Sequence, residues 1–599
     1  MLTEAQFEIL KTIYLCPEQM LTQRALAAQT DMSLGKVNQT VSALTEAGLL
    51  AGGRVTDAGE EALAPYRVKN AVIMAAGMST RFAPLSYEKP KALLRVKGEL
   101  LIEREIRQLQ EAGIRDITLV VGYMKEKMFY LAEKFGVDIV VNPDYYRYNN
   151  TSTLMLVADR LENTYICSSD DYFAENPFEP FVYRAYYAAV YAEGETEEYC
   201  LKCNRRGRIT GVTVGGHDAW YIMLGHVYFD RAFSSKFVQI LRAEYNQQVT
   251  REHLWEDLYI RYIGELEMYI HRYDAEKIKE FDSLDELRAF DDKYVGDSGS
   301  AIFRNICGVL GCTENEIHDI HPIKTGMTNL SFRFTCRGEK YVYRHPGVGT
   351  DAYINRRSEA SSMEAARRLG LDDTYIYMDE AEGWKLSRYI EDARTLDYHD
   401  EQQVTQALAM LRRLHESGEQ TAYPFDAWGE IQGFEESLRR FNRADFEDMQ
   451  QMRDGIARLR AHLEADGTPV RLCHCDSYAP NFLLDRADKM YLIDWEYSGM
   501  SDPAWDIGTF IACADYTMDE ADGIIQRYMG REPSREELRH HLGYVAVASF
   551  YWFLWALYQD CVGKSVGSYL YIWYRYTKSY SARALALYED GQSEKETNA

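Results

Sequence analysis

Residues 70–77, NAVIMAAG, form an apolar strand that runs without a break into a turn of small residues. A strand that is apolar on both faces belongs inside a parallel sheet covered by helices. DITLVVG at 116–122 repeats the pattern, and LLIEREIRQLQEAG at 100–113 lies between the two with helical apolar spacing and a glycine stop. The order strand, loop, helix, strand predicts a parallel α/β unit. The small-residue turn lets backbone N–H groups approach a ligand closely, and a phosphate suits that position.

At 599 residues the chain exceeds one core, and roughly 150 residues per domain predicts three or four. Residues 1–66 read as a compact helical unit. It has helical spacing from Gln6 to Tyr14, a short helix in LTQRALAAQT, and an amphipathic helix that Ser33 can cap. GGRVTDAGEEAL then predicts a small hairpin and a closing helix. Residues 67–295 carry the strand and helix alternation. Residues 296–599 include the alternating hairpin SFRFTCRGEKYVYRHPG and become mostly helical, above all from His540 to Tyr588. The polar, glycine-rich DDKYVGDSGS places the junction near Asp292–Ser298.

The net charge of −26 repels nucleic acid and anionic membrane over most of the surface. It suits an enzyme whose substrate carries a cation, so nucleotide sites must be built from individual Arg, Lys and N–H groups. The 11 cysteines are scattered, and Cys200 and Cys203 have no second pair to complete a zinc site. That pattern predicts reduced thiols in a cytoplasmic protein. No apolar run approaches the roughly 18 residues of a membrane span. MLTEAQFEILKTIY lacks the pattern of a secretory signal.

After the first strand comes AAGMSTRFAPLSYEKPKALLRVKG, where Arg81, Lys89 and Lys91 bring cations to the turn. Release of pyrophosphate from a triphosphate needs such neutralisation. The combined G-M-S-T-R…P-L…K-P-K-A-L string resembles the nucleotidyltransferases that make nucleotide-diphosphate sugars and alcohols. Within that superfamily, 67–295 is most similar to bacterial CTP:phosphocholine cytidylyltransferases. The resemblance implies that Ala75, Ala76, Gly77 and Lys89 bind nucleotide and that Lys91 and Arg81 act in catalysis. It implies a Mg²⁺ carboxylate at Asp170, with Asp171 the alternative, and a second at Asp282. By residue type alone Asp282 reads as a helix cap. NPDYYRYNNTSTLMLV, with Asn149, Asn150 and Ser152, matches a segment near the base and alcohol sites. Trp220, Tyr221 and Tyr228 lie where rings could attract a quaternary ammonium, or pack the core.

The string RLCHCDSYAPNFLLD…MYLIDWEYSGMSDPAWDIG puts Asp476 and Asn481 in one loop and Asp494 after a short hairpin strand. It resembles the catalytic and metal loops of the aminoglycoside phosphotransferase and choline kinase superfamily. The resemblance implies that Asp476 accepts or orients the hydroxyl and that Asn481 and Asp494 hold Mg²⁺ against the phosphates of ATP. His474 and Asp506 are then loop supports. Gly326, Thr328 and Asn329 belong to a nucleotide-covering loop. Arg344 on the next strand pairs with Glu359 on a helix, where the family ordinarily has Lys and the choline kinases have Arg. Glu496 and Tyr497 follow the metal aspartate, and SFYWFLWALYQ places Trp552 and Trp555 on one helix face. Tyr569 and Trp573 could close an aromatic box around a trimethylammonium group, which has no N–H to donate. The alternative is that these rings pack helices.

Residues 1–66 resemble a winged helix-turn-helix of bacterial regulators. They contain 4 Lys/Arg against 8 Asp/Glu, and Lys36 is the one cation on the presumed recognition helix, which favours an interaction or dimerisation role over DNA binding. The expected architecture is therefore multidomain: an α+β winged helix at 1–66, a Rossmann-like mixed α/β nucleotidyltransferase at 67–295, and a bilobal α+β protein-kinase-like fold at 296–599. The expected activities are phosphorylation of choline by ATP and coupling of phosphocholine to CTP. The rivals are the same reactions on ethanolamine or another amino alcohol, and a DNA-binding regulator with enzymatic sensor domains. An oligomer is compatible with this reading.

Overall fold

Thr3, Thr22, Ser33 and Thr56 precede the helices Glu4–Leu15, Gln23–Thr30, Leu34–Glu46 and Asp57–Leu63, and each side chain accepts an N–H of the first turn. Such caps satisfy donors that a helix leaves unpaired and contribute about 1 kcal/mol each. The hairpin is Leu50–Ala51 paired with Arg54–Val55, completing a winged helix. Its core is Phe7, Leu10, Leu26, Val37, Leu44 and Leu63, with Phe181 contributed by the next domain. Lys11 pairs with Glu179 at 2.8 Å and Arg184 with Glu4 at 2.8 Å, so the module is fastened by charge as well as by burial.

The computed structural model describes all residues except 218, 297, 324–328, 348–353, 444–445, 563–565 and 598–599. The chain divides into two compact units, Met1–Asn315 and Glu316–Ala599. In the first unit, Asn70–Ala75 lies between Ile117–Val121 and Thr164–Ser168, parallel to both. Asp138–Val141 extends the parallel part, while Trp220–Phe229 runs antiparallel beside Thr164–Ser168. The sheet is mixed, as the sequence predicts. Alternation along the central strand splits the core: Ala71, Ile73 and Ala75 face one cluster and Val72 the other. The helix Ala301–Leu310 belongs to this unit, where Glu88 accepts the Ile302 N–H at 2.8 Å.

The second unit opens with an antiparallel sheet in the order Ile317–Ile323, Leu330–Cys336, Glu339–His345, Lys385–Arg388, Tyr375–Met378. The helix Arg356–Arg368 accompanies it. The remainder is helical around one large core. The stretch from His540 onward is two helices, Arg535–Cys561 and Tyr569–Thr597. Among the described residues no helix is long and apolar enough to cross a membrane.

Where the helix Ala504–Ala512 crosses Arg535–Cys561, a Cβ on Gly508 would lie 2.6 Å from the Tyr544 carbonyl oxygen. Backbone cannot yield as a side chain does. Alanine gains about 1 kcal/mol of helix propensity but meets an overpacking cost of about 1–3 kcal/mol. Gly508→Ala should therefore lower the second unit's denaturation midpoint. A midpoint equal to or above that of the unaltered chain would show that the crossing relaxes freely.

Candidate active sites

The carboxyl ends of Asn70–Ala75 and Thr164–Ser168 lie side by side, and a cavity of about 210 Å³ opens there. This is where open α/β sheets bind ligands. Ala75, Ala76, Gly77, Lys91 and Asp170 line it together with Asn142, Tyr145, Tyr148, Asn149 and Asn150. Glycine is required at Gly122, because a Cβ there would meet the Ala76 carbonyl oxygen and the Tyr145 Cβ, each at 2.7 Å.

Lys91 is buried and its Nζ lies 2.8 Å from Asp170 Oδ2. Burial works against its charge, yet Asp170, Glu280 and Asp282 hold the ammonium above the usual lysine value. Arg81 reaches Asp282 at 2.9 Å from an exposed position outside the cavity lining. Lys89 is also outside the lining. Burial pulls its ammonium below the usual value against Glu88, and Lys293, Lys127 and Arg95 add to the effect.

Asp171 lies opposite Glu280 on paired strands, and neither of its carboxyl oxygens has a hydrogen-bond partner among the described residues. Burial, then Glu280 and Asp170, push Asp171 far above the carboxylate range, while Asp170 lines the cavity. Glu280 is pushed to about 8 by burial and Asp170, against Lys91. Asp170 and Asp282 offer only oxygen donors, which fits a hard divalent cation; here Asp170 pairs with Lys91, and Asp282, outside the cavity lining, pairs with Arg81. Glu280, the last residue of the strand Ile278–Glu280 and two residues before Asp282, escaped the sequence reading.

Asn149 caps the helix Asn150–Leu156, and Asn150 accepts the Trp255 N–H and donates to Glu256 at 3.3 Å. The Ser152 hydroxyl donates to the Asn149 carbonyl at 2.7 Å. These contacts shape the wall. Trp220, Tyr221 and Tyr228 do not line the cavity, and Tyr228 is fully buried, its ring 5.2 Å from that of Tyr165.

In the second unit, Asn481 Nδ2 donates to the Asp476 carbonyl at 2.8 Å and to Asp476 Oδ2 at 2.9 Å, leaving its own oxygen for a cation. Burial, followed by Asp494, pushes the Asp476 carboxyl well above its ordinary range. Cys475 and Asp494 hold φ of 65° and 64°, a strained left-handed conformation that costs on the order of 1–3 kcal/mol each. Asp506 holds this loop: the N–H groups of His474 and Cys475 donate to its carboxylate at 2.8 and 2.7 Å, and His415 Nε2 lies 2.8 Å away. His474 Nε2–H donates to the Ile493 carbonyl at 2.9 Å. His415 could not be found from spacing, because it lies on a distant helix.

Arg344 lies 2.5 Å from Glu359, 3.3 Å from Asp494 and 3.7 Å from Glu496. Burial would raise the Glu359 carboxyl, but Arg344, Lys385 and Arg356 hold it at about 2. Asn329 donates to Glu496 at 3.0 Å. Glu496 is pushed to about 7 by burial and Asp494, against Arg344. Gly326 and Thr328 lie outside the described residues. Asn481 and Asp494 again offer only oxygen donors, which fits a divalent cation.

Five rings gather beside this loop. The Trp552 ring lies 6.5 Å from Tyr497, 5.6 Å from Trp555 and 6.1 Å from Trp573, and Tyr569 stacks on Trp573 at 5.4 Å. Trp573 Nε1–H is anchored on the Ala512 carbonyl at 3.1 Å. Trp552 Nε1 is buried without a hydrogen-bond partner among the described residues.

A phosphate-binding turn with a carboxylate pair defines a nucleotidyltransferase, and the D-x-x-x-x-N loop with its following aspartate defines a phosphotransferase. Comparison with known proteins agrees. The family described as winged helix-turn-helix DNA-binding matches residues 2–51, the MobA-like NTP transferase domain 71–175, and the phosphotransferase enzyme family 319–541. A 2-aminoethylphosphonate cytidylyltransferase of Lancefieldella rimae is 36% identical, covering 38% of this chain and 93% of that protein. A choline-phosphate cytidylyltransferase of Streptococcus pneumoniae is 34% identical, covering 37% of this chain and 96% of that protein. The solved structure of the choline kinase LicA from Streptococcus pneumoniae is 26% identical, covering 47% of this chain and 98% of that one, with a TM-score of 0.41. The chain belongs to the cytidylyltransferases, fused to a winged helix-turn-helix and a phosphotransferase-family domain.

Glu256 behind the cavity wall gives a pH signature. Burial pushes its carboxyl from the ordinary 4.5 up to about 7, against its bonds with Asn150 and Tyr187. A value raised on folding stabilises fully below the unfolded pKa, and that contribution is lost as pH rises through the folded one. The gap corresponds to on the order of 3 kcal/mol. Urea unfolding of Glu256→Gln should thus lose less stability between about pH 5 and 8 than the unaltered chain. Equal losses in both proteins would show that Glu256 does not titrate in this window.

Proposed function

We propose that the chain phosphorylates choline with ATP and then joins phosphocholine to CTP, giving CDP-choline and pyrophosphate. In the first reaction the choline oxygen bonds to the γ-phosphorus, ADP leaves, and Asp476 takes the hydroxyl proton. In the second, a phosphocholine oxygen bonds to the α-phosphorus of CTP and the bond to the β-phosphate breaks. Lys91 neutralises charge there, and the turn at Ala75–Gly77 offers N–H groups to the phosphates. Mg²⁺ would be held by Asp170 and Asp282 in one site and by Asn481 and Asp494 in the other, and when bound it neutralises phosphate charge.

The ring cluster around Trp552 carries the choline assignment. Ring faces attract a trimethylammonium ion that has no N–H to donate, and Glu496 beside Tyr497 supplies an anion. A second reading comes from the relative that acts on 2-aminoethylphosphonate. A phosphonate already holds its phosphorus through carbon, so a kinase on the same chain would have no step to perform. The fused phosphotransferase domain therefore favours an alcohol substrate. We read the N-terminal module as an interaction unit, in keeping with its acidic balance.

Assay with ATP, CTP, choline, ethanolamine, phosphocholine and 2-aminoethylphosphonate, read by mass, tests this. Asp476→Ala should abolish phosphorylation of choline and leave CDP-choline synthesis from added phosphocholine. Lys91→Ala should do the reverse, so that phosphocholine accumulates. Loss of both activities in either folded variant would refute two independent sites.

Trp552→Ala should raise the KM for choline about thirtyfold, the equivalent of a desolvated cation–π contact of about 2 kcal/mol. The KM for ATP should not change. Ethanolamine can still hydrogen-bond to Glu496, so its activity should fall less. Equal loss for both alcohols with a lowered melting point would make Trp552 a packing residue. Preference of the unaltered enzyme for ethanolamine would overturn the choline assignment.

A further inference from the structure

Glu339–His345 and Lys385–Arg388 pair antiparallel, and in this register Arg344 lies directly opposite Lys385. Residues directly opposite project from the same face, and like charges there repel. Both side chains are nonetheless largely buried, at 6% and 13% exposure. Two buried cations stay side by side only where anions between them offset the repulsion. Glu359, fully buried, lies 2.5 Å from Arg344 and 3.3 Å from Lys385, and Asp494 lies 3.3 and 3.7 Å from the same two.

The two cations are not used alike. Arg344 reaches Glu359 through one terminal nitrogen and Asp494 and Glu496 through the other, so its planar fork is held on three carboxylates. Arg356 also reaches Glu359, at 3.4 Å. Glu359 is therefore neutralised without Lys385. Among the described residues the lysine makes one long hydrogen bond, 3.3 Å to Glu359, and its ammonium has three donors on a flexible stem. Lys385 is the less buried of the pair and the less committed.

We infer that Lys385 is a second phosphate-holding cation of the phosphotransferase site. Arg344 keeps the strand, the helix glutamate and the metal loop in register, while Lys385 supplies the mobile ammonium for the nucleotide's phosphates. The inference rests on the reading of the second unit as an ATP-dependent phosphotransferase.

The test is nucleotide binding and kinetics on the full chain with Lys385→Ala, Lys385→Gln and Lys385→Arg. Loss of a charge-assisted contact should weaken ADP binding and raise the KM for ATP roughly ten- to a hundredfold. Adenosine, which lacks phosphate, should bind the Ala and Gln variants as it binds the unaltered chain. The KM for choline and the synthesis of CDP-choline from phosphocholine should not move, and Lys385→Arg should recover most of the ADP affinity. If ADP and adenosine weaken equally, Lys385 only supports the fold and the inference fails. It also fails if an active Lys385→Ala keeps its ADP affinity, and there the phosphotransferase reading stands. Absence of ATP-dependent phosphorylation by the unaltered chain would overturn both.

Discussion

Asp506 is a fully buried carboxylate on which the phosphotransferase site depends. Taking such a charge out of water costs several kcal/mol unless donors surround it. Here the donors are the backbone N–H groups of His474 and Cys475, together with His415. Those same N–H groups belong to the loop that carries Asp476. The charge is therefore stabilised only when the loop has its active shape, and the loop holds its strained residue at Cys475 only because the charge is there. Removing one side would leave buried partners unsatisfied at about 1–3 kcal/mol each.

A chain with net charge −26 must build places for nucleotides one cation at a time. It does so by burial. Lys91 stays charged inside the first unit because three carboxylates face it, and Arg344 because Glu359, Asp494 and Glu496 do. Both cations are thus held ready by anions that also suit a metal. Burial first, and neighbouring carboxylates after it, hold Glu280 and Glu496 above ordinary carboxylates. Such groups are strained electrostatically without a ligand, and a divalent cation relieves the strain.

Much of the architecture was legible because local patterns coincide with local structure. The small-residue turn after Met74, the cap at Ser33 and the hairpin 331–347 each depend on neighbours in sequence. The catalytic strings were legible for the same reason, since Asp476 and Asn481 share one loop. Less was legible in the cavity wall. Asn150 lines the cavity and is also tied to Glu256 and Trp255, while Tyr145 and Tyr148, in the same segment, line it without having been singled out. Side-chain direction in an irregular segment follows packing, and composition does not report it.

By itself the sequence determined the order of three folded modules, the strand and helix that carry each reactive string, and the kinds of side chain at each site. These follow from period, capping and spacing over a few residues. Only the tertiary structure decided that Phe181 completes the core of the first module, that His415 braces Asp506, and that Lys385 stands opposite Arg344. Each of these pairs joins residues far apart along the chain. Their meeting depends on strand register and on how helices close over the core, and a one-residue slip of a strand would turn Lys385 to the opposite face.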